Sequence, residues 1–261
     1  MTAPATTVGS GLQLFARYAF PPNERGYCGP PDHQELFGYV TTGTTDPGLR
    51  ELAAAFSGPW PYLELLAGAA GIDDPFDARV VEAYWVGNDL LDRVSTTEFG
   101  RVMEDHHRPR AGSRWRFLAE GVPARSVCHH SFHVFGVYPW VGLLRETHRG
   151  EPLEILDRCR IRWGKVLATA GEQVVVESRP LTWDGRRLAL GETVRETVQR
   201  GVGGNGILDD LAPGEWVSLH WSWVCDRLTG PQLAALQRYS ARQLTITNDR
   251  VAHSGPGVEL S

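Results

Sequence analysis

The chain has 261 residues, 42% of them hydrophobic and 22% charged, which is enough to bury the core of one large domain or two small ones. A net charge of −5 without a long basic run argues against nucleic acid as a partner, and no apolar run reaches the length of a membrane span. The N-terminus lacks the features of a secretory signal, and four scattered cysteines argue against a disulfide framework. We therefore expect a cytoplasmic protein with reduced thiols.

Helical patterns dominate the chain before residue 150. The best of them, over residues 75–94, has apolar side chains at helical spacing and Asp73 or Asp74 as its predicted N-cap. A further helix is predicted to start at Thr96, without the acid of a capping box. The predicted helices are residues 49–70 with a break at Gly58-Pro59, 75–94, 96–106, and 129–145 with a kink at Pro139.

After residue 150 the pattern changes to alternating strands. Asp184-Gly185 supplies the positive φ angles of a tight hairpin turn, and the glycine-rich residues 201–206 predict a flexible loop. Strands are predicted over 172–177, 188–197 and 213–221, and a closing helix over 230–244. We therefore predict an α+β fold: a mainly α-helical domain over 1–150, a small β-barrel with a C-terminal helix over 151–248, and a disordered tail over 249–261.

Two motifs in the second half resemble hydrogenase-assembly chaperones of the HypC/HupF type. Residues 159–166, Cys-Arg-Ile-Arg-Trp-Gly-Lys-Val, have the Cys-to-Gly-Lys-Val spacing of that family's opening, and residues 211–220, Leu-Ala-Pro-Gly-Glu-Trp-Val-Ser-Leu-His, resemble its later strand. The resemblance covers about residues 157–244. It implies an OB-like barrel in which Cys159 and His220 hold iron that carries cyanide and carbon monoxide ligands. It also implies protein partners from a metalloenzyme assembly pathway.

The chain departs from that family in two respects. The family's cysteine becomes the first residue after loss of Met, whereas 158 residues precede Cys159, and Trp163 stands where the family has Pro. As a whole, the chain is similar to an uncharacterised bacterial family.

Cys159 and His220 form the first candidate site, because thiolate and imidazole are the usual protein ligands of iron and zinc. The neighbouring Arg158, Arg160 and Arg162 are expected to favour the thiolate. The alternative is structural: a buried cysteine that acts as a small hydrophobe and a histidine bonded to the backbone.

His129, His130 and His133 form the second candidate site, because on a helix two of these imidazoles lie one turn apart and can share a metal. Glu82, on the helix predicted over 75–94, can add a carboxylate if the two helices pack together. The alternative is a helix N-terminus whose ring nitrogens bond to the backbone or to water.

Cys28 and His33 flank a Gly-Pro-Pro turn that can bring them together. The alternative is that this segment reverses the chain or starts a helix capped by Asp32. If Cys28 and His33 meet the run at residues 129–133, a second metal site or a haem site results.

Three functional interpretations follow. The first is a metallocentre-assembly protein that holds or transfers iron through Cys159 and His220. The second is a metal- or haem-dependent enzyme with its site in the α-helical domain. The third is a non-catalytic partner-binding protein whose nine tryptophans supply an interface.

Overall fold

A computed structural model of the chain describes residues 8–111, 126–137, 140–146 and 150–253. Helices come first, a sheet region follows, and a long helix ends the described chain, which confirms the predicted α+β class. None of the helices in these four ranges has both the length and the apolarity that crossing a bilayer requires. The kink predicted at Pro139 lies outside the described residues.

The helices before the sheet are mostly short and joined by tight connections. In chain order they are α1 (Val8–Glu24), α2 (His33–Thr42), α3 (Pro47–Ala54), α4 (Trp60–Ala70), α5 (Ala78–Trp85), a 3₁₀ helix (Asp89–Arg93), α6 (Thr96–Ala111), α7 (His130–Phe132) with a π turn after it (His133–Val137), α8 (Trp140–Glu146) and α9 (Glu151–Cys159). The interval between α3 and α4 confirms the break predicted at Gly58-Pro59.

The helix predicted over 75–94 is two shorter helices. Its cap is Asp77, whose side chain accepts a hydrogen bond from the Arg79 backbone N–H at 2.9 Å, so the prediction of Asp73 or Asp74 was wrong. Gly87 ends this stretch because its φ of +99° lies in the left-handed region, and Asn88 then caps the 3₁₀ helix. The two caps split one apolar pattern into two segments.

Five strands form the main sheet: β1 (Arg162–Ala170), β2 (Gln173–Ser178), β5 (Val194–Gln199), β8 (Trp216–His220) and β9 (Trp223–Arg227). Their order in the sheet is β1–β2–β5–β9–β8. The β8 strand also pairs with β1, so the pairings return to the first strand, and within this sheet only the pairing of β5 with β9 is parallel.

Two small hairpins accompany the main sheet. One joins β3 (Leu181–Trp183) to β4 (Leu188–Leu190), which confirms the turn predicted at Asp184-Gly185. The other joins β6 (Gly201–Val202) to β7 (Asn205–Gly206), so residues 201–206 are a paired hairpin and the prediction of a flexible loop was wrong. Paired glycines at its tip supply the positive φ angles that such a turn requires.

Gly164, part of the motif that resembles the chaperones, has a packing role. Its position faces the buried interior of the sheet, where an added Cβ would lie 3.1 Å from Cβ of Val176 and 3.2 Å from Cδ1 of Leu219. Close packing between these strands therefore accounts for the glycine.

One hydrophobic cluster extends from the helical part to the sheet, while the interior of the sheet forms a cluster of its own. The first cluster contains Phe15 of α1 and Tyr84 of α5 together with Ile161, Trp223 and Leu236 from beyond residue 150. The boundary predicted at residue 150 therefore lies within a continuous core. Because this cluster is closely packed, it holds elements from both halves of the chain in fixed positions relative to one another.

The closing helix, α10 (Gly230–His253), packs back on the helical part. Gln232 donates to Glu82 at 2.6 Å, and the Tyr239 hydroxyl donates to the backbone oxygen of Asn88 at 3.0 Å. The helix continues past the predicted end at residue 244, so residues 249–253 are helical and not part of a disordered tail. Residues 254–261 lie outside the described part of the chain.

Candidate metal centre

Three potential metal ligands meet where the helices join the sheet. One donor atom each of His130, Cys159 and His220 lies within 4.8 Å of the other two. His130 begins α7, Cys159 ends α9 and His220 ends β8, so three separate segments build the cluster. Ligands of one tetrahedral ion lie about 3.3–3.8 Å apart, so these donors need to close by only about 1 Å around an ion.

His220 has the geometry of an imidazole ready to bind a metal. Its Nδ1 lies 2.7 Å from the backbone oxygen of Tyr18, and since a carbonyl only accepts, Nδ1 carries the proton. The lone pair is therefore on Nε2, which is buried and makes no hydrogen bond of normal geometry among the described residues, while the backbone carbonyl of Cys159 lies near enough to act on the ring. An imidazole held through one nitrogen by a carbonyl, with the other nitrogen free, is the usual arrangement in metal sites.

His130 is held through both ring nitrogens. Nε2 lies 2.9 Å from the backbone oxygen of Cys159, and Nδ1 lies 3.2 Å from the hydroxyl of Tyr84. Because the carbonyl accepts, Nε2 carries the proton and Nδ1 accepts from Tyr84. His130 must therefore give up one of these two hydrogen bonds to become a ligand, whereas His220 needs no such exchange.

Burial keeps both imidazoles neutral, which is the form that binds metals. Desolvation lowers the pKa of His220 to about 4, against the opposing effect of the backbone carbonyls of Tyr18 and Cys159. The pKa of His130 is also well below its ordinary value, first through burial and then through the nearby His220 and His133. Aromatic packing excludes water here: the Trp85 ring lies 4.6 Å from that of His130 and 5.7 Å from that of His220.

Cys159 is a half-buried thiol at the C-terminal end of α9, just before the first strand begins at Arg162. Burial raises its pKa above the ordinary value, and the charge of Cys28 raises it further. The thiol is therefore protonated until a cation compensates the charge of the thiolate.

The prediction that neighbouring arginines lower the pKa of this thiol was wrong. Arg160 bonds to Asp157 at 2.9 Å, while Arg162 is bonded to Glu196 and Arg158 lies 3.6 Å from the same carboxylate. Each guanidinium thus contacts a carboxylate, with Arg158 and Arg162 sharing that of Glu196, and burial of the sulfur outweighs these charges in setting the pKa of the thiol.

His129 and His133 are near the cluster but do not belong to it. The Nδ1 atom of His129 accepts from the backbone N–H of Ser131 at 3.1 Å, so this imidazole caps α7, as the structural alternative predicted. His133 lies in the π turn, with Nδ1 3.3 Å from the hydroxyl of Tyr62 and its ring 6.2 Å from that of His130. The predicted metal pair within this run is therefore not assembled.

The remaining candidates lie elsewhere. Glu82 accepts from Asn88 at 3.1 Å as well as from α10, so it joins two parts of the fold.

Asp32 accepts from the Glu35 backbone N–H at 3.1 Å and caps α2, as the structural alternative for this turn predicted. His33 follows in α2, and with Cys28 it lines an open cavity. Cys28 is close enough to Cys159 to influence its pKa.

The comparisons with known proteins give one result. A family model described as a family of unknown function (DUF6390) matches residues 7–254. The chain belongs to this family. The match spans both halves of the chain, which agrees with the predicted similarity to an uncharacterised family. No curated protein and no solved structure matches this DUF6390 chain.

Sequence reasoning missed the residues that orient the imidazoles of this DUF6390 member. Tyr18 contributes its carbonyl from α1, and Tyr84 contributes its hydroxyl from α5. Helical spacing marks both as core residues, and both are fully buried. Their hydrogen bonds cross 202 and 46 residues of sequence, so no local pattern reveals them.

Proposed function

We propose that the chain is a metallocentre-assembly protein that holds an iron unit through Cys159 and His220, with His130 as the third donor. The convergence of these three donor atoms within 4.8 Å carries the proposal. Two of them are the residues that the resemblance to hydrogenase-assembly chaperones implies, and the third comes from a helix that the resemblance does not cover.

The donor set supports iron with ligands of its own. Thiolate and imidazole suit ferrous iron and zinc, and three protein donors leave a coordination position open, whereas structural zinc sites have four protein ligands. A bare divalent ion with one thiolate leaves a net positive charge in a buried site, which is costly. Cyanide ligands on the iron would cancel that charge, and carbon monoxide would add none.

The strand pairings support an OB-like barrel as the platform of this site. Five strands whose pairings return to the first strand are the arrangement that the chaperone resemblance implies. All four cysteines are free thiols, which suits a role in the cytoplasm alongside protein partners of an assembly pathway.

A haem suits this site less well than an ion, because Trp85 packs against both His130 and His220 and leaves no slot for a porphyrin. A metal-dependent enzyme is the second candidate. The open position that accepts a diatomic ligand would equally accept a substrate atom. Its centre would then lie between the helices and the sheet, since Glu82, His129 and His33 are not part of the three-donor cluster.

The test is anaerobic expression with iron, followed by metal analysis and infrared spectroscopy of the purified full chain. We expect bound iron with cyanide or carbon monoxide bands, lost in Cys159→Ser and His220→Gln and kept in His129→Gln, a matched buried-histidine control. Bound metal without cyanide or carbon monoxide bands would favour the metal-dependent enzyme. Absence of metal from aerobic and anaerobic wild-type protein would contradict both functions and favour a non-catalytic binding protein.

A further inference from the structure

An open cavity lies against the sheet, between the β3–β4 hairpin and α10. Its volume is about 620 Å³, which is within the range of small-molecule sites. Its lining comes from the strands β1 and β8, from the hairpin and the segment before it, and from one side of α10. None of the three donors of the candidate metal centre is among the described residues that line it. The cavity is therefore a second place at which a ligand can bind.

Two tryptophans form the aromatic part of the lining. Trp163 of β1 is paired with Ser218 of β8, and Trp216 lies two residues before Ser218, so the two tryptophans are diagonal neighbours on one face. The adjacent Gly164 faces the interior, which places both tryptophans on the outer face of the sheet. Both are half-buried. Half-buried indoles offer surface on which a planar aromatic ring can stack.

Two arginines give the cavity positive charge. The Arg179 guanidinium is held by two backbone oxygens, since Nε donates to Gly191 at 2.8 Å and Nη2 donates to Leu190 at 3.0 Å. Arg187 is exposed on the hairpin. Within the described ranges neither guanidinium is in an ion pair, and no acidic side chain is among the lining residues. Two guanidiniums without a carboxylate partner favour an anionic ligand.

The walls of the cavity are fixed before any ligand binds. Asn248 of α10 bonds to both backbone groups of Leu188: its Oδ1 accepts from the N–H at 2.8 Å, and its Nδ2 donates to the oxygen at 2.9 Å. These two bonds fasten the hairpin to α10. Gln237 and Thr245, on the same helix, line the cavity with an amide and a hydroxyl group that can bond to the edge of a ligand. A preformed site of this kind loses less conformational entropy when it binds.

We propose that this cavity binds an aromatic phosphate monoester, such as a nucleoside monophosphate. The ring stacks on Trp163 and Trp216, and the phosphate accepts hydrogen bonds from Arg179 and Arg187. A phosphate monoester carries a charge of about −1.5 to −2 at pH 7, which balances two guanidiniums better than the single charge of a carboxylate. This inference does not depend on the metal centre, because the two sites share no lining residue and no donor.

Isothermal titration of the purified full-length protein with AMP tests the proposal, with adenosine and inorganic phosphate as partial ligands. We expect AMP to bind at least about tenfold more tightly than either partial ligand, because each of them lacks one of the two kinds of contact. Flavin mononucleotide carries the same phosphate on a larger ring and shows which ring size the tryptophans prefer. Binding of either nucleotide in this manner supports the proposal.

Arg187 and Arg186 provide a matched pair of variants. Both are exposed, and the backbone N–H of each donates to Asp184, at 2.7 Å and 2.8 Å, but only Arg187 lines the cavity. Arg187→Gln should weaken AMP binding at least about tenfold and leave adenosine binding unchanged, because it removes charge and no stacking surface. Arg186→Gln should leave both affinities unchanged.

Trp216→Leu should weaken AMP and adenosine by the same factor, because it removes stacking surface and no charge. If circular dichroism shows that this variant does not fold, Trp216→Phe replaces it, with a smaller but again equal loss for the two ligands.

Four results would overturn the proposal. They are the absence of binding by both nucleotides, an affinity for adenosine or phosphate equal to that for AMP, equal losses in Arg187→Gln and Arg186→Gln, and an unchanged affinity in the folded Trp216 variant. None of these results bears on the proposed function of the metal centre.

Discussion

The end of β8 and the start of α7 each present a buried histidine, and the contrast between them shows what makes a ligand. His220 and His129 are both 1% exposed, and in both Nε2 has no hydrogen-bond partner among the described residues. At His220 a backbone carbonyl faces Nδ1, so Nε2 carries the lone pair. At His129 a backbone N–H faces Nδ1, so Nε2 carries the proton. Burial does not distinguish His220 from His129. The hydrogen-bond partner of Nδ1 does, because it determines whether Nε2 carries a lone pair or a proton.

The largest expected effect comes from removing the imidazole that has a free lone pair. His220→Ala should reduce Co²⁺ affinity at least about 100-fold, since loss of a ligand costs more than loss of a residue that orients one. His129→Ala should change the affinity by less than about threefold, because its imidazole caps a helix. Isothermal titration of both apoproteins measures the two constants. Equal losses in the two variants would contradict the tautomer assignment.

Lowering the pH should destabilise the fold through protonation of both His129 and His220. Burial lowers the pKa of both His129 and His220 to about 4, against about 6.5 in the unfolded chain. Between those values the unfolded state binds more protons, so the free energy of unfolding falls as the pH drops from about 6.5 to about 4. The loss is on the order of 3 kcal/mol for each histidine.

Urea unfolding of the apoprotein at pH 7 and pH 4.5 measures this loss. His129→Gln should lose correspondingly less stability over the same interval, since one of the groups that must charge is gone. A wild-type stability independent of pH in this interval would contradict neutral burial of the imidazoles.

Tyr84→Phe removes the hydroxyl that bonds to His130. We expect about a tenfold loss of Co²⁺ affinity, because the orienting partner of a ligand is lost. Tyr62→Phe is the matched control, since Tyr62 makes the same kind of contact to His133, which lies outside the cluster. A larger loss of affinity in Tyr62→Phe than in Tyr84→Phe would indicate that His133, and not His130, is the third ligand.

The smallest effect is expected at Glu82. Glu82→Ala removes its contacts with Asn88 and Gln232, which should lower the free energy of unfolding by about 1–2 kcal/mol. Co²⁺ affinity and the charge-transfer band should not change. Chemical denaturation measures the change in stability, and a metal titration measures the affinity. A loss of Co²⁺ affinity in Glu82→Ala would indicate that Glu82 is a ligand.

Local patterns in the sequence predict short-range features of this fold well. The Asp-Gly turn and the Asp32 cap depend only on neighbouring residues, and both are present. Even so, one local signal was overlooked: Ser95 and Glu98 have the spacing of a capping box, and Ser95 accepts from the Glu98 backbone N–H at 3.2 Å. The unpredicted helix α1 has the helical spacing of apolar residues, with Phe15 and Ala19 buried.

Long-range packing accounts for what the sequence could not reveal about the candidate site. Cys159 and His220 were paired through their resemblance to a known motif, and the structure brings them together. The sequence groups His130 with its neighbours His129 and His133, because nothing local connects α7 with the end of α9. The sequence does not reveal that Arg158 and Arg162 are paired, because their partner Glu196 lies on a distant strand.

X-ray absorption at the metal edge of the loaded full-length protein identifies the ligands of the ion. We expect one sulfur at about 2.3 Å and two imidazole nitrogens at about 2.0–2.1 Å from the ion. We also expect that His220→Gln removes one imidazole contribution while His129→Gln removes none. A metal shell made only of oxygen and nitrogen, or an imidazole signal unchanged in His220→Gln, would contradict it.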